Sequence, residues 1–168
     1  MVFAAFMMVE KFGYSVQQIS SLFLLNYLFN LVFAPRIGRW IGAVGERSAL
    51  LLEYTGLIIV FSCYAFVETA WVAAALYVID HFFFSLAIAI DTYFQKIADP
   101  ADIASNASVS FSINHIAAVI LPALLGFVWL ESPSAVFLTG VVFAVISLGL
   151  ASMIPASPAP GREMQRIL

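Results

Sequence analysis

Apolar residues run along this chain in long blocks separated by short polar breaks. Met1 to Val9 is apolar, and Glu10 to Tyr14 interrupts it. A second block runs from Ser15 to Pro35, a third from Ala49 to Val67 and a fourth from Trp71 to Phe94. A fifth extends from about Ser105 to Leu130, and a sixth from Ala135 to Ile154. Blocks two to six are long enough to cross a bilayer as single helices, since a span takes about 20 mostly apolar residues. The first covers only about 13 Å, less than half a hydrocarbon core. It reads as the trailing half of a spanning helix, the plainer alternative being a short interfacial helix. The pattern therefore predicts spans at about 1–12 (partial), 15–35, 49–67, 71–94, 105–130 and 135–154. A tail, 155–168, is rich in proline and alanine and is expected to be largely disordered.

Local signals set the boundaries. Ser15 with Gln18 three positions on forms a capping box. Pro35 is expected to end the second block, making Arg36 to Ser48 a polar turn, and Asp102 is placed to cap the fifth helix. Pro122 predicts a kink there. In the last span Gly140, Ala144, Ser147 and Ala151 form a small-residue stripe for close helix packing.

Composition sharpens the class. Of 168 residues, 63% are hydrophobic and 10% charged, against about 25% charged in a soluble domain. The fold class is an all-α polytopic membrane protein, a bundle of five full transmembrane helices plus one partial helix. Its first partner is the lipid bilayer. No basic cluster points to nucleic acid, and Cys63, the single cysteine, excludes an intrachain disulfide and a cysteine zinc site. Of the 7 Lys and Arg, Arg36, Arg39, Arg47, Lys96, Arg162 and Arg166 fall on one side of the predicted topology, and Lys11 alone on the other. By the positive-inside rule the basic side, with the tail, is cytoplasmic in a cell membrane. The sequon Asn106-Ala107-Ser108 then faces the cytoplasm and is unused.

Ionisable residues inside spans are costly and mark functional candidates. Asp80 and His81 sit near the middle of Trp71–Phe94, and Asp91 toward its end. On one continuous helix Asp80 and Asp91 are about 20° apart, with Phe84 and Ala87 between them, and His81 points about 100° away. Counted from the two membrane faces, Asp80 and His115 both lie about 15 Å deep, so the two are expected to share a midplane layer. A carboxylate and an imidazole there suit proton coupling or, alternatively, a structural hydrogen bond between helices. Asn26, Tyr27, Asn30 and Asn114 offer hydrogen bonds to a polar solute or to neighbouring helices. Glu53 is expected to meet Arg36, Arg39 or Arg47 near the basic face.

The run Gly38-Arg39-Trp40-Ile41-Gly42-Ala43-Val44-Gly45-Glu46-Arg47 resembles the cytoplasmic G-x-L-x-D-x-x-G-R-[KR] motif of the major facilitator superfamily (MFS). Gly38 and Gly45 match its glycines and Arg47 its terminal basic residue. Gly42 stands where the family usually has Asp, which removes the carboxylate expected to pair across the gate. With the span count, loop lengths and charge sidedness, nearly the whole chain resembles the C-terminal half of such a transporter, helices seven (partial) to twelve. The resemblance implies two six-helix halves around a central cavity, with helices seven, eight, ten and eleven lining it. It implies a missing N-terminal half as partner, a small-molecule solute as cargo, and no cofactor. The expected function is transport by alternating access, coupled to protons. Its candidate residues are Asp80, His81, His115, Asn114, Asn26, Tyr27 and Asn30, with Gly38, Arg39, Gly45, Arg47 and Glu53 in the cytoplasmic gate.

Two other classes compete. One is a membrane scaffold or accessory subunit without transport. The other is an electron-transfer subunit, with His81 and His115 as axial ligands to a haem. An enzyme is not expected, because the chain has neither Gly-x-Ser-x-Gly nor His-Glu-x-x-His.

Overall fold

The computed structural model describes residues 2–164. Seven helices follow one another: α1 (Val2–Phe12), α2 (Val16–Val44), α3 (Glu46–Phe66), α4 (Ala70–Ser85), α5 (Ile88–Ile97), α6 (Ile103–Glu131) and α7 (Pro133–Ser152). Taken with α4 and α5 as one unit over Ala70–Ile97, five of these segments are long and apolar enough to cross a membrane. The chain is an all-α polytopic integral membrane protein.

The caps explain several of the ends. Ser15 Oγ accepts from the Gln18 amide at 3.2 Å while the Ser15 amide donates to Gln18 Oε1 at 2.8 Å, closing the capping box of α2. Ser132 Oγ accepts from the Ala135 amide at 3.4 Å, and Pro133 occupies the first turn of α7, where its missing N–H costs nothing. Asp102 precedes α6 without a side-chain cap bond, contrary to the expectation.

α2 does not stop at Pro35. It continues to Val44, and the expected polar turn 36–48 contracts to the single residue Gly45. A proline inside a membrane helix is tolerated when other groups satisfy the backbone around it. Pro35 leaves the Leu31 carbonyl without its helix donor; nearby, Arg36 Nη1 donates to the Val32 carbonyl at 3.0 Å and Arg39 Nε to the Pro35 carbonyl at 3.4 Å, so both guanidinium groups fold back on their own helix. Gly45 has φ 86° and ψ 151°, a region reserved in practice for glycine, and this lets α3 begin one residue after α2 ends. α6 likewise runs unbroken through Pro122.

α3 packs most extensively on α7 and also lies against α4. Gly140 of α7 accepts the face of Phe61, and Gly56 of α3 receives the Phe83 ring of α4. Two apolar cores result. One, near the end bearing Glu68 and Glu131, joins Met8, Tyr64, Tyr77, Trp129 and Phe137. The other, at the basic end, joins Ile37, Ile41, Leu50, Leu86 and Ala151. α2 and α6 are the least buried of the spans.

The tail differs from the expected disorder. The described part packs back on the basic end: Tyr93 Oη donates to the Glu163 carbonyl, and Glu163 and Met164 close one side of a cavity between α3, α5 and α7. Arg166, counted with the basic side, lies outside the described residues.

Candidate functional site

The fourth apolar block is two helices, not one. Four consecutive-type bonds tighten the backbone around Leu86 and Ala87: Leu86 N to Phe83 O, Ala87 N to Phe84 O, Ala89 N to Leu86 O and Ile90 N to Ala87 O, at 2.9–3.2 Å. Each spans three residues, the 3₁₀ pattern, which turns the chain about 20° more per residue than an α-helix. Over about four residues that adds roughly 80°. The rotation carries Asp91 away from the Asp80 face and into line with His81. The expected Asp80–Asp91 stripe is therefore absent. Asp80 is 0% exposed, whereas Asp91 stands at the surface beside His81, Phe84, Ser85, Ala87 and Ile88.

Asp91 is the shared point of two adjoining recesses. One, of about 360 Å³, brings Asn30 of α2 to His81 and Ser85 of α4 and to Asp91. The other, of about 470 Å³, brings Asp91 and Gln95 of α5 to Asn106, Ser110 and Asn114 of α6. Meeting at Asp91, they make a groove of mixed lining across the faces of α2, α4, α5 and α6, its polar groups set among Phe84, Ile88, Ile90, Phe94 and Phe111. Of the residues singled out in the sequence, Asn30, His81 and Asn114 meet here. His81 Nδ1 is 2.8 Å from the Tyr77 carbonyl one turn back, so its Nε2 is the ring atom left for other partners. Hydroxyls of Ser108 and Ser112 bond the carbonyls four residues earlier, which satisfies these side chains within α6 itself.

Asp80 occupies a separate place behind this groove. It lines a recess of about 130 Å³ with Phe3, Tyr64, Leu125, Phe137 and Gly140. Among the described residues neither carboxylate oxygen has a hydrogen-bond partner, and the hydroxyls of Tyr64 and Tyr77 are also buried without one. α2 runs beside α4 in the same direction, with Phe23 against Tyr77 and, further along, Phe29 against Phe82. Asn26 therefore comes level with Asp80. It is 2% exposed and its Nδ2 is unpartnered. The sequence placed Asn26 and Asn30 on one face, but Asn26 is buried and Asn30 reaches the groove.

The expected layer of Asp80 with His115 does not form. α6 presents Leu125 to the Asp80 space, and Leu125 lies about 15 Å along the helix from His115. His115 is exposed, its ring centroid 3.9 Å from that of Phe111 and its Nδ1 2.9 Å from the Phe111 carbonyl. It lines neither recess of the groove, so His81 and His115 are not held as a ligand pair. Tyr27 is exposed on α2, outside the groove.

The gate set is also rearranged. Gly45 makes the α2–α3 corner, but Gly38 has open space around it. Arg36 and Arg39 bond their own helix, and Arg47 Nε is buried without a partner. Glu53 meets none of the three arginines; it is buried in α3, with Oε2 unpartnered, level with the α4–α5 break. The ion pair at this end is Lys96 Nζ to Glu46 Oε1, 2.6 Å. Glu46 is not weighed as a site residue in the sequence, and Asp91 is named there as an ionisable residue toward the end of its span but not carried into the candidate set. The signal for Glu46 was its position beside Gly45. For Asp91 the signal was a carboxylate within an apolar span; the face it takes follows only from the helix break.

No protein-family model, curated protein or solved structure matches the chain.

Proposed function

We propose that the chain is one half of a proton-coupled solute transporter that works by alternating access, related to the C-terminal half of the major facilitator superfamily. The observation that carries this reading is the groove. Amides, hydroxyls, an imidazole and a carboxylate from four helices line two recesses that meet at Asp91. Such groups face lipid only at a high cost. The face that bears them is the least packed side of the bundle, where a second half would close a cavity. The Gly45 corner, the order of the spans and the sidedness of the arginines support the family, with the basic end in the cytoplasm of a cell membrane. The Glu46–Lys96 pair takes the place of the carboxylate that the motif lacks at Gly42.

In this reading a small polar solute binds along Asn30, His81, Asp91, Gln95 and Asn114. Asp91 supplies the charge that meets a cationic group or a proton. Asp80, held away from the groove, takes up and releases a proton as the cavity changes sides. A lone carboxylate among aromatic and aliphatic groups must be neutral, paired or wet, and its environment changes whenever helices around it shift.

Uptake into membrane vesicles of the assembled carrier, driven by an imposed pH gradient and screened across small polar solutes, tests the proposal. Asp91→Asn and Asp80→Asn keep size and hydrogen-bonding capacity but remove titration. Each is expected to abolish pH-driven accumulation at normal abundance in the membrane. Full pH-driven transport by both variants would contradict the assignment.

A further inference from the structure

We propose that the recess between α2, α3 and α4 at the basic end holds an anionic phospholipid, with its phosphate on Arg36 and one acyl chain along Leu52, Phe82 and Leu86. This stands on the membrane-spanning fold and does not depend on the transport reading.

The recess has a volume of about 280 Å³ and is walled by Arg36, Ile37, Trp40, Leu52, Phe82 and Leu86. Its chemistry is divided along the membrane normal. Arg36 lies 20 positions beyond Val16, about 30 Å along α2, which is the thickness of a hydrocarbon core. Because α2 and α4 run side by side, Phe82 and Leu86 fall short of that depth and remain within the core. Trp40 lies one turn past Arg36, at the level where tryptophans gather in the interface. An apolar slot inside the core, a guanidinium at its boundary and an indole beyond it match a phospholipid's chain, phosphate and glycerol region in order.

Charge argues for an anionic lipid. A guanidinium carries five N–H donors. One Arg36 nitrogen is held by the Val32 carbonyl at 3.0 Å, and the group lies 5.7 Å from the Phe33 ring centroid. This fixes its plane and leaves a free edge for the paired contact that phosphate favours. No carboxylate walls the recess. Glu53 adjoins Leu52 but is turned inward, 2% exposed, and Glu46 is engaged by Lys96.

Tryptophan fluorescence in lipid nanodiscs tests the site. Head-group composition is kept constant, a minority of phosphatidylglycerol in phosphatidylcholine, and bromines are placed on the chains of one lipid or the other. Brominated phosphatidylglycerol is expected to quench more than brominated phosphatidylcholine at equal mole fraction. That excess should vanish in Trp40→Phe. At the same composition it should fall by up to roughly tenfold in Arg36→Gln, the scale of one charged hydrogen-bonding contact. Arg39→Gln, whose guanidinium lies outside the recess, should keep it. Equal quenching by the two lipids, an excess undiminished in Arg36→Gln, or an excess lost equally in Arg39→Gln would each overturn the proposal. The last outcome would mark diffuse attraction to the basic end.

Discussion

The Lys96 ammonium lies 2.6 Å from the Glu46 carboxylate and joins the end of α5 to the start of α3. The two partners differ in environment: the Lys96 side chain is 47% exposed and that of Glu46 2%. Removing the lysine strands a carboxylate that cannot reach water. Exposed pairs contribute up to about 1 kcal/mol, and breaking a fully buried one costs about 3–5 kcal/mol. Lys96→Met is expected to fall between, near 2 kcal/mol, and to lower the unfolding midpoint in detergent. The double variant Lys96→Met, Glu46→Leu should recover most of the loss. A single variant as stable as the parent would show that the pair does not hold the two helices.

Gly56 sets the approach of α3 to α4. A Cβ there would overlap the Phe83 ring. Gly56→Ala must push that ring aside, at a cost on the order of 1–3 kcal/mol for an overpacked site. The displaced ring sits just before the α4–α5 break, so the substitution should disturb the break as well. Phe83→Leu is expected to restore stability to Gly56→Ala, read as the midpoint of thermal unfolding. An unchanged midpoint in Gly56→Ala alone would refute the close contact.

Most of the fold could be read from the chain because membrane spans need little beyond length and apolarity. The α2 capping box was legible in Ser15 and Gln18, whereas α7 begins at Pro133, two residues before the expected start at Ala135. What escaped depends on tertiary partners or on the membrane. Pro35 lies inside α2 and does not end it, since in a membrane helix the single backbone bond a proline removes does not outweigh the need to keep the rest of the segment bonded within the helix, which soluble-helix propensity does not reveal. The break at Leu86 and Ala87 contains neither glycine nor proline, yet it decides the faces of Asp80 and Asp91. The candidate site was thus half legible: Asn30, His81 and Asn114 reach the groove. His115, Tyr27 and Asn26 do not line it, because a depth count gives a residue's level in the membrane and not the direction it faces.

The positions of the arginines predict an orientation. With the basic end in the cytoplasm, Glu68 faces outward and Ala98 inward. Single cysteines placed at these positions in a Cys63→Ala background should react with an impermeant thiol reagent in intact cells at 68 and not at 98. Labelling at 98 alone would invert the topology.

The central claim is that the face of α2, α4, α5 and α6 lines an aqueous path for solute. Single cysteines replacing Asn30, Ile88 and Asn114, again without Cys63, report on it directly when native membranes are treated with a water-soluble, charged thiol reagent. Ile146 on the exposed apolar side of α7 supplies the lipid-facing control. The account predicts that the three groove positions react at least about tenfold faster than Ile146→Cys, because a thiol reacts as its thiolate and only a wet site supports one. Groove cysteines no more reactive than the control would mean a dry face, and the transport reading would fall with it.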